Sequence, residues 1–201
     1  MLDSALHFAG TSVSWLELLA FIFALVGVML TARVSPWGWP PTIVASVLYG
    51  WLFFENRLYG DAALQGFFIV VSIWAWWAWL KPPAPVDRAT GLEIRRLSRT
   101  ALMRVLTALA ASWLATGFLL LRLTDTDAAW LDAALTAGSL FAQVLLARRY
   151  REAWALWIGV NSIAIALFAI KSLWLTVILY ALLLALSVAG WRHWRRLAGG
   201  R

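Results

Sequence analysis

The chain of 201 residues has no cysteine. That excludes a disulfide framework and any cysteine-based metal or redox centre. Histidine is almost absent too. His7 and His193 are the only two, far apart in sequence, so no histidine cluster is available for metal or proton work. Acidic residues are few, with ten Asp and Glu against 17 Lys and Arg. Charged residues make up 13% of the chain, about half of the roughly 25% usual for soluble domains. No glycine-rich loop of the Walker type is present, which argues against an ATP-driven pump. No nucleophile–base pair falls in the apolar stretches, so the chain does not read as an enzyme. No catalytic set, metal site or cofactor is expected. Residues 1–14 lack the basic start and apolar core of a signal peptide.

What fills the sequence instead is apolar. Hydrophobic residues reach 63%, and mean hydropathy is +0.78. A chain this small cannot bury so much apolar surface in its own interior, so lipid must cover the rest. A spanning helix needs roughly 20 mostly apolar residues. Seven stretches meet or approach that length: 15–32, 39–54, 62–80, 105–121, 128–147, 153–170 and 172–191. They are too long and too uniformly apolar for alternating barrel strands. Glu17 and Asp132 are their only acids, both near the start of a stretch. Pro40 and Pro41 stand at the entry of the second, where a missing N–H costs little. Residues 81–99, with Pro82, Pro83 and Pro85, read as a polar connector.

The basic residues set an orientation. With seven crossings, 14 of the 17 Lys and Arg fall on one side, and only Arg57, Arg122 and Lys171 on the other. Basic loops stay cytoplasmic. The N-terminus is therefore expected outside and the C-terminus inside a plasma (inner) membrane. On this reading the net charge of +7 reflects topology and anionic lipid, and no nucleic-acid partner is expected.

Sliding the chain by 115 residues lays the first three stretches on the last three without a gap. Over residues 15–79, 15 of 65 positions are identical. The matches include Arg33/Arg148, Trp39/Trp154, Ser72/Ser187, Trp76/Trp191 and Trp79/Trp194, residue types that chance seldom pairs in so Leu- and Ala-rich a chain. Arg33 and Arg148 share a side, so the two units point the same way and need one extra crossing between them. The expected fold is all-α and integral to the membrane, with seven transmembrane helices in a 3+1+3 plan of parallel repeats. That plan resembles the sugar facilitators known as SWEETs, in which substrate sits near midplane at the repeat interface. The divisions expected are an extracytoplasmic N-terminus (1–14), a first repeat (15–80), a cytoplasmic linker (81–104), a linking helix (105–121), a second repeat (128–194) and a cytoplasmic tail (195–201).

Trp154, Trp157 and Asn161 follow an i, i+3, i+7 spacing that puts them on one helix face. Asn161 lies about 12 Å along the helix from Ala153, at 1.5 Å per residue, near the middle of the bilayer. Ser46 is its repeat mate. Two readings stand: interhelical hydrogen bonds or contacts to a substrate. Ser72, with its mate Ser187, carries the same two readings. Gln65 and Gln143 are intramembrane amides that need partners. Tyr49 and Tyr180 resemble them in position. Trp76 belongs to a tryptophan-rich end with Trp74, Trp77 and Trp79, which is an interfacial belt or a vestibule lining. Glu17 and Asp132 are gate candidates, because an acid inside a span is a functional suspect.

The ordered set Trp39-Pro40, Leu52-Phe53-Phe54, Leu58-Tyr59-Gly60-Asp61, Leu64-Gln65 and Trp76-Trp77-Ala78-Trp79 resembles the Pnu family of bacterial vitamin transporters. So does Arg148-Arg149-Tyr150 followed by the Trp154-x-x-Trp157-x-x-x-Asn161 pattern. The resemblance covers nearly all of residues 15–194. It implies facilitated uptake of a vitamin or cofactor precursor, nicotinamide riboside first. Thiamine, riboflavin, a deoxynucleoside or a sugar are the alternatives, and a membrane protein without transport activity is the rival class. It implies functional coupling to a cytoplasmic kinase that traps the substrate, and it leaves room for a homotrimer. It places Trp154 and Trp157 as stacking partners for a cationic aromatic ring, with Asn161 reading a polar edge. On the expected fold these face Ser46 and Ser72, and Gln65, Gln143 and Tyr180 complete the candidate substrate set.

Overall fold

A computed structural model of the chain describes residues 4–8, 11–81, 93–124, 128–170 and 174–199. The rest of the proline-bearing connector (82–92), Arg201 and Lys171 lie outside these residues. Along the chain come β1 (Ser4–Phe8), β2 (Thr11–Ser14), α1 (Trp15–Ala32), α2 (Trp39–Glu55), α3 (Tyr59–Leu80), α4 (Arg99–Leu123), α5 (Ala129–Ala147), α6 (Glu152–Ile170) and α7 (Trp174–Gly199). Six of the helices are long and apolar enough to cross a membrane, while α2 has 17 residues. The chain divides into two compact units, Met1–Glu93 and Ile94–Arg201.

In the first unit α2 packs against both α1 and α3. Ser14 starts α1: its Oγ accepts the Glu17 N–H at 3.1 Å, the forward half of a capping box. A 3-10 turn, Pro36–Gly38, leads into α2, whose first turn holds Pro40 and Pro41 as expected. Helices α1 and α2 meet closely at two glycines. A methyl group on Gly38 would fall 2.6 Å from the Thr31 backbone nitrogen, and one on Gly27 would strike Thr42. Lipid offers no hydrophobic drive between helices, so close approach over small residues supplies the attraction.

In the second unit α6 packs against α5 and α7, and α4 lies on α5. Small residues again form the seam, with Ala129, Ala133, Ala137, Gly138 and Ala142 of α5 all buried. The Trp113 Nε1 of α4 donates to the Trp130 carbonyl of α5 at 2.9 Å.

The 115-residue offset recurs in the backbone. It carries the helix end Ala32 to Ala147, Glu55 to Ile170, and the helix start Tyr59 to Trp174. Both α1 and α5 close in the same way. Val34 (φ 59°) and Arg149 (φ 64°) take the left-handed conformation. Their amides donate to Thr31 and Leu146, and the following amides, of Ser35 and Tyr150, donate to Leu30 and Leu145. This is a Schellman closure without glycine, and α2 ends in the same way at Arg57 and Leu58.

Three features depart from the sequence reading. Residues 4–8 and 11–14 pair as antiparallel strands, with Ser4 opposite Ser14 and His7 opposite Ser12. Helix α4 begins at Arg99, six residues before hydropathy places it, because the Ser98 Oγ caps the Ala101 N–H. Helix α7 runs to Gly199 through the expected tail, with Trp194 fully buried.

Candidate functional site

The candidate residues fall into matched places in the two units. Trp39 of α2 meets Trp79 of α3 edge to face, with centroids 5.3 Å apart at 88°. The mates Trp154 of α6 and Trp194 of α7 repeat the arrangement at 5.6 Å and 84°. All four rings are buried. Such pairs contribute about 0.5–1.5 kcal/mol beyond burial. Gly190 lies against the Trp154 ring, where a methyl group would come within 2.7 Å. Trp154 is 1% exposed. It is therefore a packing residue in this conformation, and the open stacking face expected for it is filled by α7. The Nε1 atoms of Trp39 and Trp154 are buried without a hydrogen-bond partner.

Asn161 is buried as well. Its Nδ2 donates to the Ser187 Oγ of α7 at 3.1 Å, and that hydroxyl donates to the Leu183 carbonyl at 2.7 Å. Of the two readings for Asn161, this conformation shows the interhelical hydrogen bond. The repeat mates Ser46 and Ser72 are buried at the corresponding positions of α2 and α3. Trp157, one turn from Trp154, is half-buried. The i, i+3, i+7 face thus holds an enclosed ring, a partly open ring and a paired amide.

Tyr180 of α7 stacks on Phe168 of α6 at 5.4 Å and 15°. In the first unit its mate is Gln65, half-buried beside Gly50. There Phe53, the mate of Phe168, stacks instead on Tyr49, one turn earlier in its own helix, at 5.9 Å and 17°. The stacked ring is kept while its source changes, which leaves position 65 open for an amide. Gln143 is buried in α5.

Glu17 and Asp132 both sit in the first turn of their helices, α1 and α5, and both are half-buried. A carboxylate there complements the helix dipole. Trp76 is half-buried, 6.2 Å from the Trp37 ring, with its Nε1 buried and unpartnered. Next to it Lys81 sits over the Trp77 ring at 3.2 Å, a cation–π contact suited to an interfacial belt.

Two features escaped the sequence reading. One is Ser187 as the partner of Asn161, which the Ser72/Ser187 match signalled without saying which neighbour it would meet. The other is a clamp on the segment before α4. The Arg95 N–H donates to the Arg149 carbonyl, the Arg151 N–H donates to the Arg95 carbonyl, and Glu152 accepts from the Leu97 N–H and from Arg151 Nε, both at 3.2 Å.

The chain matches the family model described as nicotinamide mononucleotide transporter over residues 14–196. The nicotinamide riboside transporter PnuC of Escherichia coli K12 is 24% identical over 92% of this chain and 87% of its own length. The protein of that name from Neisseria mucosa is 29% identical over 92% of this chain and 73% of its own. The riboflavin/roseoflavin transporter RibM of Streptomyces davaonensis is 25% identical over 90% and 85%. The crystal structure of the vitamin B3 transporter PnuC shares the fold, with a TM-score of 0.76 at 24% identity, covering 92% of this chain and 82% of that one.

Proposed function

Because the chain belongs to the nicotinamide mononucleotide transporter family, we propose that it carries nicotinamide riboside into the cell by facilitated diffusion, with phosphorylation by a cytoplasmic kinase trapping the product. The observation that carries this reading is the family match across almost the whole chain, together with the relatives named as nicotinamide riboside transporters.

The architecture proposed with it is 3+1+3. Helices α1–α3 and α5–α7 are parallel repeats, α4 is the crossing between them, and α2 spans with the others, as in SWEETs. The shared helix ends, Schellman closures and tryptophan pairs at one offset support it. The N-terminus is placed outside and the C-terminus in the cytoplasm.

For the substrate path we retain Trp157 as the stacking ring and Asn161 as the amide that reads a polar edge. Gln65, Gln143, Ser46, Ser72 and Tyr180 complete the set. Trp154, one turn before Trp157 on α6, anchors that helix to α7, and Glu17, Asp132 and Trp76 remain the gate candidates. A half-buried tryptophan one turn from a buried amide suits a cationic aromatic ring carrying a carboxamide.

A riboflavin reading is the second choice, favoured by the RibM relative. Purified protein in liposomes, with radiolabelled nicotinamide riboside and unlabelled competitors, tests both. Competition by nicotinamide riboside, with little from riboflavin, thiamine, a deoxynucleoside or a hexose, is expected. Preferential competition by riboflavin would overturn the substrate, and no uptake of any of them would overturn transport.

A further inference from the structure

Helices α4 and α6 both pack on α5 and leave a gap of about 310 Å³ between them. Small residues of α5, Ala137 and Gly138, line it from one side. Leu106 and Leu109 line it from α4, and Gly159 from α6. No charged residue lines it. At one end stands Trp113, which its hydrogen bond to the Trp130 carbonyl holds in place. From Leu106, α4 runs back toward the basic end of the unit at Arg99.

That end is arginine-rich. Arg99 lies seven residues before Leu106, two turns along the same stripe of α4, and is exposed. Arg148 lies eleven residues beyond Ala137, about three turns of α5 at 3.6 residues each, and is exposed too. Arg95 is held at the same end by its backbone bonds to Arg149 and Arg151. In the described segments 93–104 and 148–152 the only acids are Glu93 and Glu152. Glu152 already accepts from Arg151 and the Leu97 amide.

We propose that this groove is a binding site for one acyl chain of an anionic phospholipid, whose phosphate is held by Arg99 and Arg148. An apolar groove with basic residues two to three turns further along α4 and α5 matches the two halves of such a lipid. Basic pockets between helices favour anionic headgroups. A transmembrane helix, about 10 Å wide and 30 Å long, would occupy roughly 2,000 Å³, several times the space available.

Gly159 gives a clean probe. A methyl group built on it meets nothing within 4 Å, so Gly159→Leu projects a side chain into the groove with room at its Cβ. Native mass spectrometry of the purified full chain, titrated with phosphatidylglycerol or phosphatidylcholine, reads lipid count and affinity. Wild type is expected to retain one phosphatidylglycerol per chain and to prefer it to phosphatidylcholine. Gly159→Leu should lose that lipid, and Ala155→Leu on the same helix should do so from a second position. Arg99→Gln and Arg148→Gln should keep binding but lose about fivefold each in headgroup preference. An unchanged lipid count in both groove-filling variants, or equal affinity of wild type for the two lipids, would overturn the site. A change in oligomer mass with lipid count unchanged would overturn it in favour of a second copy of the chain.

Discussion

Trp154 and Trp157 stand three residues apart on α6 and meet different surroundings. Trp154 is enclosed by Trp194 and Gly190, whereas Trp157 is only half-buried. Replacing Trp154 by Phe keeps a ring in place and removes an N–H that has no partner. Because a buried unsatisfied donor costs about 1–3 kcal/mol, Trp154→Phe is expected to leave thermal stability unchanged or raised, while Trp154→Ala costs about 3–5 kcal/mol. Trp157→Ala and Asn161→Leu should do the opposite, leaving the fold intact and weakening nicotinamide riboside. A lost stacking contact is worth about 1–3 kcal/mol, roughly 5- to 150-fold in affinity. Ligand titration and thermal unfolding of monodisperse protein separate the two classes. If Trp157→Ala lowered the yield of folded protein and left affinity untouched, its site role would be lost. The sequence showed which residues share a helix face and that Asn161 falls mid-way along α6. It did not show that Gly190 lets α7 close over Trp154, because periodicity names a face but not the neighbour against it.

Among the elements, α1 comes close to the 3-10 turn and to α2 at Gly38 and Gly27. The atoms a Gly38 side chain would meet include the Thr31 backbone nitrogen and the Gly27 carbonyl oxygen, which cannot swing aside. Overpacking of this kind costs about 1–3 kcal/mol. Gly38→Ala should therefore lower the unfolding temperature in detergent. Gly60→Ala in α3, where a methyl group meets nothing within 4 Å, should be neutral or stabilising by up to about 1 kcal/mol. Equal losses at both sites would refute the close-approach argument. Helix existence was legible from hydropathy, since lipid leaves the backbone no alternative to internal pairing. Several helix ends were legible too, such as both ends of α1 and the ends of α3, α5 and α6, but the start of α4 and the end of α7 were not. Ser98 starts α4 among arginines that hydropathy reads as connector, and burial of Trp194 holds α7 helical through Arg195 and Arg196. The 17 residues of α2 reach about 25 Å at 1.5 Å each, which is why length alone marks it as a borderline span.

For the molecule as a whole, charge distribution and the placement of acids decide orientation and energetics. On the proposed topology of seven crossings, which places 14 of the 17 basic residues on the cytoplasmic side, a cysteine at Asn56 should react with an impermeant thiol reagent on intact cells, and one at Ala89 should not. The reverse pattern would invert the topology. The chain has no cysteine of its own, so each label reports a single position. Energetics follow from where titratable groups are missing. Ion-coupled transport usually places an acid or histidine deep in the bilayer. Here Glu17, Asp61, Asp132 and Glu152 all sit in the first turn of their helices, and His193 lies near the end of α7. Between Arg104 and Arg122 the sequence of α4 holds no charge. A proton or sodium ion crossing the membrane would meet no carboxylate between the first turns and the far ends of α1, α3, α5 and α6, and passive transport is the expectation to test. Liposomes containing the protein alone should bring nicotinamide riboside to equal concentration inside and out and stop there. An imposed proton or sodium gradient should leave that end point unchanged, and enclosing a kinase with ATP should raise the total label retained. Accumulation above equilibrium driven by either gradient, with no kinase present, would contradict passive transport and direct attention to Glu17 and Asp132.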